Sequence, residues 1–178
     1  LTSVGGTSRS SNEPDMLSLP PTLVSFAVTM TKASATISGA FKYAGNNAVL
    51  LPIPEDEETG LPNWEALKAF YGDVVAMMED GAIVSAHVVK EGGAAAAVAK
   101  MAFGNKMGFV FNTDAEDPAL LFTPKAGALV VEVEQAALRD VTENLNCVVL
   151  GMINESGKIE IHNTALDVDD LIETWNGK

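Results

Sequence analysis

A chain of 178 residues with a formal net charge of -13 and 47% hydrophobic residues has the size and core material of one domain, with or without a tail. Its negative field repels phosphate backbones and argues against general nucleic-acid binding, while leaving room for one phosphate in a local nest of backbone N–H groups. Aromatic residues are only 6%, so the core must come from Ala, Val, Leu, Ile and Met, and no run of about 18 apolar residues is present to span a membrane.

Leu1 to Leu19 is rich in Ser, Gly and Asn, shows no clear period and reads as an extended lead-in. It lacks the basic and apolar blocks of a signal peptide. The first residue is not Met, which points to a chain cut from something longer or carrying a tag remnant. Residues 20–178 read as a single domain. Pro20-Pro21 introduces Thr22 to Thr31, where Val24, Phe26, Val28 and Met30 alternate with Ser25, Ala27 and Thr29, the pattern of a half-buried strand. Gly45-Asn46-Asn47 reads as a turn and Ala48 to Ile53 as a short strand. Glu55, Asp56, Glu57 and Glu58 form an acidic loop without the alternating oxygen ligands of a calcium loop, so it reads as solvated.

Pro62 with Asn63 as cap starts a helix whose apolar stripe is Trp64, Leu67, Tyr71, Val74 and Met78, and Asp80-Gly81 ends it. Ala82 to Val89 reads as a strand, Gly92 to Phe103 as a helix and Met107 to Asn112 as a strand. Asp114 to Asp117 is a second acidic loop. Leu120 to Thr123 and Gly127 to Glu134 read as strands about a Pro124-Lys125-Ala126 turn, and Gln135 to Val141 as a short helix. The single cysteine, Cys147, precedes Val148, Val149 and Leu150 and reads as a small core residue; alone it forms no intrachain disulfide, which fits a reducing cytoplasm. Cys147 to Ile153 and Lys158 to His162 are two strands that Asn154 to Gly157 should join as a hairpin, placing His162 at the surface. Asp167 and Asp170 suit the positive end of a last helix running through Trp175. This order is not strictly alternating, so the pattern predicts an α+β fold, a mixed sheet with helices packed on one face and the other face left for a partner.

One segment carries chemistry. In Ser85 to Ala97 a strand runs into Gly92-Gly93 and then an alanine-rich helix. Glycines allow a tight turn, and the helix N-terminus presents N–H groups and partial positive charge, which together suit a phosphate. A tight strand–helix turn with no ligand explains the same glycines. Lys90 and Lys100 flank the turn, and Glu132 and Glu134 alternate on one strand, a spacing that acid–base chemistry would use only within a pocket.

His87 to Gly93 and the helix after it resemble the H-D-x-S-D-G-G segment of the aminoimidazole-ribonucleotide-synthase-like C-terminal domain family, in its phosphoribosylformylglycinamidine synthase branch. Three stretches carry the resemblance in matching order: Val89 to Gly108 (VKEGGAAAAVAKMAFGNKMG), Pro20 to Val28 (PPTLVSFAV), and Val4 to Ser10, where the family has V-G-G-K-D-S-M. The likeness covers most of the chain from Gly5 to about Glu132. It implies a domain of an ATP- and glutamine-dependent ligase that converts formylglycinamide ribonucleotide to the amidine in purine biosynthesis. ATP and magnesium are then cofactors of the parent enzyme, and none is assigned to this fragment. The implied nucleotide- or phosphate-binding residues are His87, Glu91, Gly92, Gly93, Gly5 and Gly6, with no catalytic residue and no metal ligand.

The departures are specific. Val88, Lys90 and Glu91 stand where the pattern has Asp, Ser and Asp, and Thr7 and Ser8 where it has Lys and Asp. Phe122 to Ala128 keeps the Phe and Gly of an F-x-E-x-x-G-R pattern but neither its Glu nor its Arg. A Val can replace neither a magnesium ligand nor a hydroxyl acceptor. The expectation is therefore a structural or degenerate nucleotide-site half, inactive in isolation and cytoplasmic. Its partners would be the other domains of the parent synthase, and its open sheet face also allows a homodimer. The alternatives are a non-catalytic scaffold domain, or another member of the ATP-binding superfamily such as a selenophosphate-synthetase-like protein.

Overall fold

The computed structural model describes residues 2–4, 7–8, 17–18, 22–112 and 117–177. Two compact units divide the chain, Leu1–Ser34 and Ala35–Lys178, so residues 20–34 fall with the first. In that unit β1 (Thr2–Val4) pairs antiparallel with β4 (Thr22–Val24), and β2 (Thr7–Ser8) with β3 (Leu17–Ser18). The half-buried strand expected over Thr22 to Thr31 stops at Val24. Val24, Phe26, Val28 and Met30 are 58%, 86%, 86% and 97% exposed. A strand buries one face only against a covering layer, and the described residues of this unit provide none.

The second unit is α+β, as the sequence predicts. Its elements are β5 (Asn47–Leu51), α1 (Trp64–Glu79), β6 (Ile83–Val88), α2 (Gly93–Phe103), β7 (Gly108–Phe111), α3 (Pro118–Phe122), β8 (Leu129–Val133), α4 (Leu138–Asn144), β9 (Val148–Asn154), β10 (Lys158–Ile161), β11 (Thr164–Asp167) and α5 (Val168–Trp175). The strands form one seven-stranded sheet in the order β11-β10-β7-β9-β5-β8-β6. It is mixed, because β10 runs parallel to β7 while the other neighbours are antiparallel.

Helices cover both faces of this sheet rather than one. Ala48 and Leu50 of β5 and Val130 of β8 pack with α2, α3 and α5 residues such as Val98, Met101, Leu121 and Val168. Val49 and Leu51 of β5 and Val131 and Val133 of β8 face the other way, onto Phe70 and Val74 of α1 and Val141 of α4. The central strands are apolar at successive positions, so each pleat needs its own cover. Full burial of each such aliphatic side chain stabilises the fold by about 2 kcal/mol. The β7–β9 side of the second face stays open, where Val110 and Met152 are 36% and 47% exposed.

Local chemistry sets the element ends. Asn63 accepts from the Ala66 N–H at 3.1 Å and caps α1. The buried stripe of that helix is Phe70 and Val74 with Leu67 and Tyr71 beside them, and Trp64 in the first turn is 72% exposed. Leu120 to Thr123 is not a strand: Asp117 caps Ala119 at 2.9 Å and Pro118 opens the short helix α3. Helix α4 sits about a turn later than the Gln135 to Val141 expected. Strands β9 and β10 are not a hairpin, because β7 lies between them and β10 instead pairs with β11 through a turn at His162. The Asn154 to Gly157 loop crosses the start of β7 so closely that a Cβ on Gly108 would meet the Asn154 and Ser156 side chains.

Candidate functional site

The corner expected to carry chemistry is formed by the end of β6, Lys90 to Gly92, and the start of α2. It brings His87, Glu91, Gly92 and Gly93 together, and Gly5 and Gly6 lie outside the described residues. His87 holds Nδ1 2.8 Å from the Val88 carbonyl oxygen, and its ring packs toward Gly39, whose segment bridges to Ser85 through Ser38. Lys90 and Glu91 are exposed in the turn. Lys100 points away, its Nζ 4.4 Å from the Trp175 ring centre at the other end of α2.

Gly92 and Gly93 take φ values of +86° and +68°, in the left-handed region that favours glycine. No side chain caps α2. The Gly93 N–H is used by the Lys90 carbonyl at 3.0 Å, which leaves Ala94 and Ala95 as first-turn donors. Free N–H groups at an uncapped helix start are what an anion corner would require. The glycines also have a packing reason. A Cβ on Gly93 would strike the Leu121 carbonyl and the Phe122 backbone, and one on Gly92 would lie 2.7 Å from the Ala96 Cβ. The corner is therefore a close helix–helix approach as well as a turn.

Its donor set does not fit a magnesium-bound nucleotide. Glu91 is the one carboxylate in the turn, and Val88, which precedes it on the same strand end, is apolar and 43% exposed. Among the described residues no three His, Cys, Asp or Glu side chains converge to hold a metal ion. Beside the corner opens an apolar groove of about 310 Å³ lined by Gly92, Ala96, Phe111, Phe122, Ile159 and Leu166 among others. It draws on four separated segments, which is why no single stretch of sequence announces it.

The buried charge of the domain lies elsewhere. Glu132 on β8 is fully buried and accepts four hydrogen bonds, from the N–H groups of Lys42 (2.7 Å) and Tyr43 (3.0 Å), Asn46 Nδ2 (2.9 Å) and Ser85 Oγ (2.7 Å). It ties the 41–46 loop to β6, two residues from His87. Glu134, its expected partner, is exposed past the strand end, so the two carboxylates do not form an acid–base pair. The AFGN stretch also has a packing role: Asn105 Nδ2 donates to the Phe41 carbonyl at 2.6 Å, and a Cβ on Gly104 would lie 2.5 Å from the Ala40 Cβ. Cys147 is half-buried, and that burial pushes its thiol pKa up, away from a reactive thiolate. No helix among the described residues is long and apolar enough to cross a membrane.

No protein-family model matches the chain. Among solved structures it is similar to phosphoribosylformylglycinamidine synthase II from Thermotoga maritima, with a TM-score of 0.62 and 14% identity over 78% of this chain and 28% of that one. The T. maritima PurL complexed with AMPPCP gives a TM-score of 0.64 and 15% identity over 78% of this chain and 27% of that one. Escherichia coli HypE, a hydrogenase maturation protein, gives 0.52 and 14% over 74% of this chain and 51% of that one. The chain thus spans little more than a quarter of the synthase structures it matches, at 27% and 28% of their length. At such identities the likeness is one of fold, and the fold is the aminoimidazole-ribonucleotide-synthase-like one, as found in a segment of phosphoribosylformylglycinamidine synthase II.

Proposed function

We propose that this chain is a domain of a phosphoribosylformylglycinamidine synthase and forms the structural, nucleotide-degenerate half of a paired site. The observation that carries the reading is the β6–α2 corner. Its left-handed glycines and uncapped helix start are retained, while Val88 and Lys90 stand where ligand-binding side chains belong. The fold likeness to PurL, whose complexes include one with ATP and one with FGAR, supports the synthase assignment. In this reading the parent ligase works with ATP, magnesium and glutamine in the cytoplasm, and the other domains of that parent are the partners of this chain. His87, Glu91, Gly92 and Gly93, with Gly5 and Gly6, would at most hold a phosphate against the Ala94 and Ala95 N–H groups.

A second reading, a scaffold domain that binds nothing small, is favoured by the contact of Gly93 with Leu121 and Phe122, which explains that glycine without any ligand. Calorimetry with ATP–magnesium and with inorganic phosphate separates the two. The degenerate-half reading expects no amidine formation by the chain alone, weak phosphate binding that Gly92→Ala removes, and no micromolar affinity for ATP–magnesium. Micromolar ATP–magnesium binding would overturn the degenerate site. Absence of any phosphate binding would favour the scaffold.

A further inference from the structure

The C-terminal end of the Ala35–Lys178 unit carries a conformational device that does not rest on the proposed function. Strand β11 is the last strand of the sheet, paired on one side only, with β10, and its residues are all exposed. Helix α5 follows it with no linker: Asp167 ends β11 and caps α5, accepting from the Asp169 N–H at 2.9 Å. Of Thr164 to Trp175 only Val168 is buried, with Leu171 and Ile172 half-buried against the core. A helix of eight residues does not hold its own turns in water, so α5 is helical because it is docked. The stretch carries Asp167, Asp169, Asp170 and Glu173 and no base. Its counter-charges stand across the contact: Lys106 Nζ is 2.7 Å from Asp169 Oδ1, and Lys100 Nζ is 4.4 Å from the Trp175 ring centre. The side chains of the ion pair are 65% and 63% exposed, so water replaces that tie at little cost.

We propose that Thr164 to Trp175 is an acidic strap that opens as one unit about the His162-Asn163 turn while the rest of the Ala35–Lys178 unit stays folded, with Lys100 and Lys106 as its latch. The joint at Asp167-Val168 makes strand and helix one unit, since α5 cannot lift without pulling on the β10–β11 ladder. The hinge is local, because β10 keeps its parallel pairing with β7 when β11 leaves. His162 takes a φ of +50°, a left-handed conformation that a residue with a Cβ holds at a cost and that opening releases. The strap covers apolar surface. Leu166 and Leu171 line the groove beside α2 together with Phe111 of β7 and Ile159 of β10, and Leu166 lies opposite Ile159 in the ladder. Opening brings Ile159, 5% exposed in the closed state, into contact with solvent and makes β10 the edge of the sheet. Segments that open ahead of the core are drawn from the least buried elements, and this one governs access to the groove.

Hydrogen exchange of the 178-residue chain, read by mass spectrometry, tests this alongside the double variant Lys100→Gln/Lys106→Gln and a control of equal charge, Lys68→Gln/Lys125→Gln. The hydrogen-bonded amides of Thr164 to Trp175 are expected to exchange at one common rate, at least about 100-fold faster than those of β5 and β8. That rate should rise about ten-fold further when Lys100 and Lys106 are changed and stay the same in the control. Unaltered β5 and β8 rates in both variants show that the core is intact. In a Cys147→Ser background, the thiol introduced by Ile159→Cys should react with a maleimide about ten-fold faster once the two latch lysines are changed. Four results would overturn the proposal: amides of Thr164 to Trp175 as protected as the central strands; fraying that runs inward from Trp175 while β11 stays protected; exchange indifferent to Lys100 and Lys106; or labelling indifferent to them.

Discussion

Glu132 is the residue on which the second unit is most exposed to damage. A fully buried carboxylate is tolerable only when its lone pairs are used, and here two backbone N–H groups, an amide and a hydroxyl use them. The two backbone donors come from Lys42 and Tyr43, so the side chain substitutes for a strand that the 41–46 loop lacks. Glu132→Ala should leave the buried Asn46 and Ser85 donors and the part-buried Lys42 and Tyr43 N–H groups without this partner and cost about 3–5 kcal/mol. Glu132→Gln keeps one acceptor oxygen but turns an NH2 group toward other donors, so its cost should be smaller and still destabilising, about 2 kcal/mol. Urea unfolding of both variants checks the order, and a Gln variant as stable as the parent would show that charge is not what holds the loop. From sequence this residue could not be told from a solvent-facing strand glutamate. Alternation assigns a face, but only the register places Ala48 and Ser85 on either side of it.

At the level of elements, capping decides what the apolar pattern leaves open. Helix α3 spans five residues, too few for a period to show, and its Leu120-Leu121-Phe122 run reads equally well as a buried strand. The Asp117-Pro118 pair resolves the choice, since the carboxylate caps Ala119 and proline is preset for the first helical position. Asp117→Ala should therefore destabilise the domain by about 1 kcal/mol, and an unchanged midpoint would mean that packing of Leu121 alone fixes the helix. Helix α1 was legible because Asn63 and Gly81 mark both its ends. The β9–β10 connection is not legible, for the opposite reason: Asn154 to Gly157 has good turn chemistry, but a turn signal does not say whether a third strand lies between its arms. The corner at Gly92-Gly93 was legible as a turn, whereas its contact with Leu121 and Phe122 and the apolar groove beside it depend on segments distant in sequence.

Across the whole molecule, both hydrophobic clusters are built from residues between Ile37 and Ile172, all within the Ala35–Lys178 unit. One cluster lies on each face of the sheet, and β5 and β8 belong to both, so the two layers cannot separate without exposing the central strands. The fold's cooperativity should then reside in this unit alone. Leu1–Ser34 contributes short two-stranded pairings, and such ribbons are marginal without a third strand or a covering layer. A chain beginning at Ala35 is expected to unfold in a single transition with a midpoint within about 4 °C of the 178-residue chain, the shift that about 1 kcal/mol produces at this size. A broad, non-cooperative melt of the shortened chain would show that the first unit is needed for the core.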